Sequence, residues 1–200
     1  MEFFTVLSLI ALGVYVLNTR DQRSRIALLG SYLGKYRIEK LMENLLQGYM
    51  RALGETDLQR QAAIWGMLET TEVELCGQFN TFVIEFAKVD EAQARVSKLA
   101  LAIPLATRWL QGTFDMRKVL GIHGHAITLA ASNGQHQPPR DKAFTMMAEL
   151  LLMQHSCHWF CRSKMVASAR LLARHKSPYA QVLASVAAPT RQAYCTLVGC

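Results

Sequence analysis

Apolar residues recur at helical spacing along almost the whole chain, and no stretch sustains the alternation of a half-buried strand. The most regular stripe lies between Thr56 and Phe86, where apolar positions fall three or four residues apart. That spacing is typical of a long helix packed lengthwise on another helix. We predict that this helix packs in the core or binds a partner through Ile64, Leu68, Leu75, Phe79, Phe82 and Phe86.

Glycines, prolines and capping residues mark where the helical pattern is interrupted. Gly54 is expected to end one helix, and Thr56 or Asp57 can cap the next by accepting backbone hydrogen bonds. Asp141 begins a helix that the pattern continues to about His175. Further boundaries are predicted at Asp90, Pro104, Gly112, the loop Ser132–Pro139, Ser177-Pro178 and Pro189.

The stretch after Asp90 combines a helical start with a proline. A helix is predicted from Asp90 through Ile103, and Pro104 must kink or interrupt it because proline has no backbone N–H. The overlapping run Leu99–Leu110 is apolar but too short to cross a membrane, so it is predicted to lie in the core. The whole pattern predicts an all-α protein, a multi-helix bundle of six to seven helices behind one apolar N-terminal helix.

An apolar run, Phe3–Leu17, opens the chain and stops at Asn18. A cleaved signal peptide fits poorly, because the only charge before the run is Glu2 and no small-residue cleavage site follows. At about 1.5 Å per residue the run reaches ~23 Å, which is short for a hydrocarbon layer of roughly 30 Å. The alternative is a buried helix in a soluble assembly. We predict a membrane anchor over residues 1–19 and one helical domain over residues 20–200.

The charges around the run predict its direction. No Lys or Arg precedes it, and the basic residues that follow are Arg20, Arg23, Arg25, Lys35, Arg37 and Lys40. The positive-inside rule then predicts a single-pass protein of the inner or plasma membrane, with its N-terminus outside and its bulk in the cytoplasm. Five cysteines, an odd number, suit a reducing compartment.

The net charge of +7 resides in the second half of the chain, where acids are scarce. Residues 1–100 have a net charge of −1, and residues 101–200 have +8. Such an excess favours an anionic partner, which is a lipid surface, an acidic protein or nucleic acid. No acid follows Glu149 that could pair one helical turn away. The predicted basic surface comprises Arg162, Lys164, Arg170, Arg174 and Lys176.

The segment HSCHWFC, which begins at His155, holds the side chains best suited to metal binding. On a helix, Cys157, His158 and Cys161 fall within a sector of about 100°. Thiolate and imidazole bind zinc, copper or haem iron. No recognised ligand spacing is present, and free cysteine also fills core positions, so core packing and a metal site stay as alternatives and no cofactor is favoured. Side chains that could complete a site are His123, His125 and His136.

Catalytic motifs are missing from the sequence, which has no G-x-S-x-G, no phosphate-binding glycine loop and no dinucleotide fingerprint. We therefore predict a non-enzymatic, membrane-anchored helical adaptor or assembly component that binds a protein partner or a second copy of itself, with anionic lipid as a further contact. The alternative is a membrane-tethered metal- or haem-binding sensor. A membrane-linked nucleic-acid-binding factor is a third hypothesis, which no recognition motif supports.

Overall fold

The structure, a computed structural model, describes residues 2–104, 106–109, 112–134 and 136–200, with the backbone alone for residues 2, 108 and 109. Most of this part of the chain is helical, which confirms the predicted all-α class. The helices are α1 (Glu2–Leu33), α2 (Ile38–Gly54), α3 (Leu58–Phe86), α4 (Glu91–Ala94), α5 (Ala106–Trp109), α6 (Met116–Ser132), α7 (Pro139–Cys161), α8 (Lys164–His175), α9 (Tyr179–Ser185) and α10 (Ala188–Val198). Two short antiparallel strands complete the fold, β1 (Arg95–Ser97) and β2 (Thr113–Asp115).

Helix α1 joins the predicted anchor and the first helix of the domain without a break. It is 32 residues long, so the predicted boundary between residues 19 and 20 falls inside it. Its C-terminal part packs on the domain through Leu29, which is buried, and Tyr32, whose ring meets that of Phe86 edge-on. The N-terminal part is therefore a direct extension of a core helix.

Helices α2 and α3 form an antiparallel pair, and the turn between them lies where the sequence predicts it. Helix α2 ends at Gly54, and the Asp57 carboxylate caps α3 by accepting hydrogen bonds from the backbone N–H groups of Gln59 and Arg60. These bonds satisfy N–H groups that have no acceptor within the helix. The short turn between the two helices is thus determined by local residues.

The turn between α2 and α3 lies at the end of this helix pair that is remote from Tyr32 of α1. Near the end of α3, Phe86 contacts Tyr32 of α1. Near the start of α3, Gln61 donates a hydrogen bond of 2.9 Å to the carbonyl of Ala52 in α2. Helix α3 therefore runs back along α2 towards α1, and the loop at residues 55–57 forms the distal tip.

The core is built around α3 and α7. Helix α3 packs against α2 and α6, and α7 packs against α6, α8 and α9. Aromatic side chains from both helices are among the largest that are fully buried, and burial of such rings is a major stabilising contribution to a fold. They are Phe79, Phe82, Phe86, Trp159 and Phe160.

The predicted helix from Asp90 through Ile103 is wrong beyond Ala94. Helix α4 is only four residues long, and β1 then pairs with β2, which places Val96 opposite Phe114. Both side chains are buried. Strands of three residues are too short for an alternating pattern to stand out, and their pairing depends on contacts distant in sequence.

The predicted continuous helix from Asp141 to His175 is divided in two. Helix α7 ends at Cys161, and the Ser163 hydroxyl caps α8 by accepting a hydrogen bond of 3.3 Å from the N–H of Val166. Serine competes with the helical backbone for such donors and therefore favours helix starts. The break separates the His and Cys residues of α7 from the basic residues of α8.

Candidate membrane interface

The N-terminal half of α1 is fully exposed. Every residue from Phe3 to Leu17 is exposed, and Phe4 and Tyr15 retain 74% and 68% of their accessible surface. Within the described residues, α1 is the one helix long and apolar enough to cross a membrane, by length and composition. Because α1 continues to Leu33, its length is not limited to the apolar run that the sequence displays.

Asn18 marks the point at which α1 meets the rest of the chain. Its side-chain amide donates a hydrogen bond of 2.8 Å to the carbonyl of Ala102. One turn further along α1, Arg162 donates to the side-chain oxygen of Gln22. The apolar run thus ends where α1 reaches the surface of the domain.

Arg25 of α1 contacts both β1 and α7. Its guanidinium forms a salt bridge of 3.0 Å with Asp21 and donates a hydrogen bond of 3.0 Å to the carbonyl of Arg95. It also lies 5.4 Å from the centre of the Phe160 ring, in cation–π geometry. A largely buried guanidinium needs such partners, so these contacts hold α1 in one position on the domain.

The apolar run Leu99–Leu110, predicted to lie in the core, is exposed over its first part. Leu101 and Ile103 are 56% and 52% exposed. Positions 105 and 110 of the run lie outside the described residues. The physical reason for the difference is that residues 98–104 leave the strand as an irregular loop, so no helical face buries their side chains.

A small cavity of about 30 Å³ lies behind this loop, between the loop, α1 and α7. Asn18, Asp21 and Arg25 contribute polar groups to its lining, and Trp159 contributes an aromatic ring. A volume of that order suits one water molecule, whereas sites for organic ligands are roughly ten times larger. The cavity is therefore too small to serve as a ligand site in this conformation.

The six apolar residues predicted as contacts of α3 are buried within this chain. Each exposes 6% of its surface or less, because α2 and α6 pack against α3. The chain's own helices fill that face, and a partner of α3 would contact the other face, where Met67, Val73 and Ile84 are exposed. The six buried residues are Ile64, Leu68, Leu75, Phe79, Phe82 and Phe86.

The predicted metal ligands Cys157, His158 and Cys161 lie in the last turns of α7. The Cys157 sulfur is 3.9 Å from that of Met153, and Arg170 donates a hydrogen bond of 3.3 Å to His158 Nδ1. Burial raises the pKa of both thiols, that of Cys161 to about 11, and lowers the pKa of His158. The thiolate is the form that binds metal. Across the described ranges, no group of three or more His, Cys, Asp or Glu could hold a metal ion, and metal binding here stays a prediction.

The predicted basic surface has partners from other helices. Arg174 of α8 lies 3.7 Å from the carboxylate of Glu43 in α2, so the acid that the local sequence lacks comes from a distant part of the chain. Lys164 lies over the rings of Trp159 and Tyr179, at 5.1 and 5.3 Å from their centres. Contacts with other elements are thus made by Arg162, Lys164, Arg170 and Arg174, whereas the exposed Lys176 bonds to the carbonyl of Ala173 in α8.

The sequence pattern does not reveal the buried charge at Glu72. Tyr49 of α2 and Lys142 of α7 each donate a hydrogen bond of 2.5 Å to one of its carboxylate oxygens. Burial and the neighbouring carboxylate raise the pKa of Tyr49. The sequence indicates that Glu72 is buried only by its position, because it lies on the apolar stripe between Leu68 and Leu75.

Two histidines are buried in the core and bonded to serines. His123 Nε2 lies 2.9 Å from the hydroxyl of Ser156, and His155 Nε2 lies 3.0 Å from that of Ser168. Burial lowers the pKa of both imidazoles to about 3, which leaves them neutral at pH 7. His123, considered above as a further metal ligand, is engaged in this core network. His125 and His136 are exposed.

Glu149 of α7 is a second buried acid, and it holds the start of α10. One carboxylate oxygen accepts a hydrogen bond of 3.0 Å from the N–H of Ala187, and the side chain of Thr190 also donates to the carboxylate. Burial raises the pKa of Glu149 to about 7. Burial thus favours the protonated, neutral form of this carboxyl group.

Two exposed surfaces have a distinct chemical character, the apolar half of α1 with the adjoining loop and the basic residues around α8. The buried acids and imidazoles lie inside the helical core. No protein-family model matches this chain, and comparisons with curated proteins and with solved structures give no significant match.

Proposed function

We propose that this protein is a non-enzymatic, membrane-anchored helical adaptor or assembly component. The observation that carries the proposal is the exposed apolar half of α1, Phe3–Leu17. Each large apolar side chain gains on the order of 1.5–3 kcal/mol on leaving water. Eleven large apolar side chains of the run are 43–74% exposed, so covering all of them would gain roughly 10–20 kcal/mol, which is comparable with the roughly 5–15 kcal/mol net stability of an ordinary domain. A second medium or partner must therefore cover this surface.

Lipid fits the exposed half of α1 better than a protein groove does. Its apolar residues occupy consecutive positions, such as Phe3-Phe4, Val6-Leu7 and Leu9-Ile10, and so surround the whole helix. A helix that docks in a groove has one apolar stripe and a polar opposite face. A helix in hydrocarbon is apolar on every side, because no water solvates any face.

The charge distribution supports one orientation in the membrane. Arg20 and Arg23 follow the apolar run on the exposed surface of α1, and no Lys or Arg precedes it. We therefore propose a single-pass topology in the inner or plasma membrane, with the N-terminus outside and the domain in the cytoplasm.

The proposed adaptor role requires an exposed surface that can bind a partner, and two such surfaces lie outside the core. Near the distal tip, Met50, Leu58 and Met67 are 64%, 80% and 64% exposed, which is unusual for large apolar side chains. The basic surface around α8 is available for an acidic partner or anionic headgroups. A protein partner or a second copy is the proposed ligand of the tip.

The experiment is extraction of the tagged full-length protein from native membranes. We expect the protein to stay in the membrane after an alkaline carbonate wash and, in mild detergent, to co-elute with one protein partner or as a defined oligomer. A matched variant, Met67→Arg, should keep its membrane association and lose that partner, because a charge then occupies the apolar tip.

Other outcomes contradict the proposal in distinct ways. Release of the protein by carbonate would remove the anchoring role. Stoichiometric metal in the purified sample would favour the sensor hypothesis, and its loss in Cys157→Ser would locate the site. Nucleic acid that is retained at low salt and lost steeply as salt rises would favour the third hypothesis.

A further inference from the structure

A second apolar surface lies where α1 leaves the domain. Leu99, Leu101 and Ile103 of the loop after β1 are 38%, 56% and 52% exposed, and Met165 at the start of α8 is 53% exposed. Four large apolar side chains from two separate parts of the chain thus share one corner of the molecule. Such a cluster differs from single exposed apolar residues, which are common on any surface.

Two hydrogen bonds to backbone carbonyls place this cluster beside the end of the apolar run. The carbonyl of Ala102 accepts from Asn18, the first polar residue after the run, at 2.8 Å. The carbonyl of Ala100 accepts from the N–H of Met165 at 3.0 Å. Leu101 lies between these two bound carbonyls, so it is held at the level where α1 emerges from the domain.

We infer that the loop from Leu99 to Ile103, together with Met165, inserts into the lipid leaflet that α1 enters and holds the domain against the membrane. The inference rests on the proposed function, because it requires α1 to lie in lipid. Lipid is the occupant because the cluster is continuous with the apolar half of α1, across the hydrogen bond from Asn18 to Ala102.

The charges next to this surface match the headgroup region of a bilayer. Arg20 and Arg23 lie on the next turns of α1, and Arg162 is exposed beside Gln22. Basic side chains at this depth contact anionic headgroups while neighbouring apolar groups enter the acyl region. Arg25 holds α1 against β1 and α7, and Asn18 bonds α1 to the loop, so α1 and the loop would enter the membrane together.

The test measures the depth of residue 101 in the full-length protein. Leu101→Trp is reconstituted in vesicles of phosphatidylcholine and phosphatidylglycerol, with and without lipids brominated in the acyl chains, and the emission of the wild type is subtracted. We expect the added emission to fall about twofold with brominated lipid, because an interfacial side chain reaches ~5–10 Å into the acyl boundary.

Two matched variants separate this inference from the anchoring role. Val14→Trp reports the apolar half of α1, and Met67→Trp reports an exposed position of α3 outside the apolar cluster, where no quenching is expected. Quenching at residue 14 without quenching at residue 101 would overturn the inference and leave the anchor intact. No quenching at either residue would overturn both. If Leu101→Trp does not fold, Ile103→Trp replaces it with the same expected result.

Discussion

The carboxylate of Glu72 is buried, and side chains of two other helices donate hydrogen bonds to it. Tyr49 and Lys142 each bond to one carboxylate oxygen, and Glu72 is 3% exposed. A buried ion pair often adds little net stability, yet the loss of one member leaves the other charged and buried. The group therefore connects α2, α3 and α7 in a specific arrangement.

We expect Glu72→Ala to lower the free energy of unfolding by about 3–5 kcal/mol, because the Lys142 ammonium, only 13% exposed, loses its partner. Denaturant unfolding followed by tryptophan emission measures the change, with Trp65 beside Tyr49 as a local reporter. The double variant Glu72→Leu with Lys142→Met should be much more stable than Glu72→Ala, since it contains no unpaired charge. Equal losses in the two proteins would contradict this account.

Three buried titratable groups give the stability a dependence on pH with opposing signs. His123 and His155 have pKa values lowered from 6.5 to about 3 by burial, so the unfolded chain binds protons that the folded chain does not as the pH falls below 6.5. Their contribution to stability therefore decreases on acidification. Glu149 has a pKa raised from 4.5 to about 7, so its contribution is present below pH 4.5 and decreases as the pH rises towards 7.

We expect Glu149→Gln to gain stability relative to the wild type as the pH rises from 4.5 to 7. The expected slope is at most about 1.4 kcal/mol per pH unit, the value for one proton. Denaturation curves at several pH values measure it. The control is Glu69→Gln, at an exposed position of α3, which should follow the wild type at every pH. A difference between Glu149→Gln and wild type that does not change with pH would contradict the assignment.

The polar residues of the core are the least predictable from sequence. Glu72, Glu149 and His155 occupy positions on apolar stripes, which indicates burial but gives no partner. Their partners Lys142, Ala187 and Ser168 are found only once the helices pack. By contrast, the Asp57 cap is predictable, because its acceptor and donors lie within three residues of one another.

Helices α2 and α3 approach closely at Gly48. A Cβ atom at this position would lie 2.3 Å from Cδ2 of Leu68, a buried side chain of α3. At Gly66, on the exposed side of α3, a Cβ atom would meet no atom within 4 Å. The two glycines thus have different roles, although both lie inside helices.

We expect Gly48→Ala and Gly66→Ala to change stability in opposite directions. Gly48→Ala should cost about 1–3 kcal/mol by overpacking the contact with Leu68. Gly66→Ala should stabilise by about 0.5–1 kcal/mol, because alanine restricts the unfolded chain and favours helix. Thermal unfolding of the two variants against wild type measures both. A gain in both variants would show that Leu68 moves aside at no cost.

Helix boundaries in this chain are predictable where they depend on neighbouring residues and are missed where periodicity alone is the guide. Gly54 and Asp57 act on adjacent residues, and the predicted boundaries there are confirmed. The hairpin of Val96 and Phe114 depends on a pairing across the chain. The cap at Ser163 is as local as that of Asp57, but the helical pattern continues on both sides of it and so conceals the break. Periodicity alone detects neither feature.

One continuous helix, α1, joins two different parts of the molecule, the exposed apolar run and the helical domain. The sequence predicts an anchor over residues 1–19 and a helical domain over residues 20–200, and α1 continues unbroken through the point between them. Charge and hydropathy change at Asn18, while helical hydrogen bonding does not. Exposure of Phe3–Leu17, which the structure adds, is the stronger basis for a membrane role.

We expect Leu9→Arg, near the centre of the apolar run, to weaken membrane insertion by about 3 kcal/mol, the typical cost of an arginine at the middle of a spanning helix. The fraction of full-length protein that resists carbonate extraction measures the effect. Met67→Arg adds the same charge on the exposed face of α3 and should leave this fraction unchanged. Equal extraction of Leu9→Arg and wild type would contradict a span centred on this run.

The unbroken course of α1 gives the protein a mechanical property, provided that its first half lies in a bilayer. Asn18, Gln22 and Arg25 clamp the helix to the domain, so the embedded half and the domain move as one lever. A tilt of about 20°, the average for spanning helices, would move the tip at residues 55–57 by up to roughly 15 Å relative to the end of α3, because a helix of 29 residues is about 43 Å long. Membrane thickness would then set the lateral reach over which the tip can meet its partner.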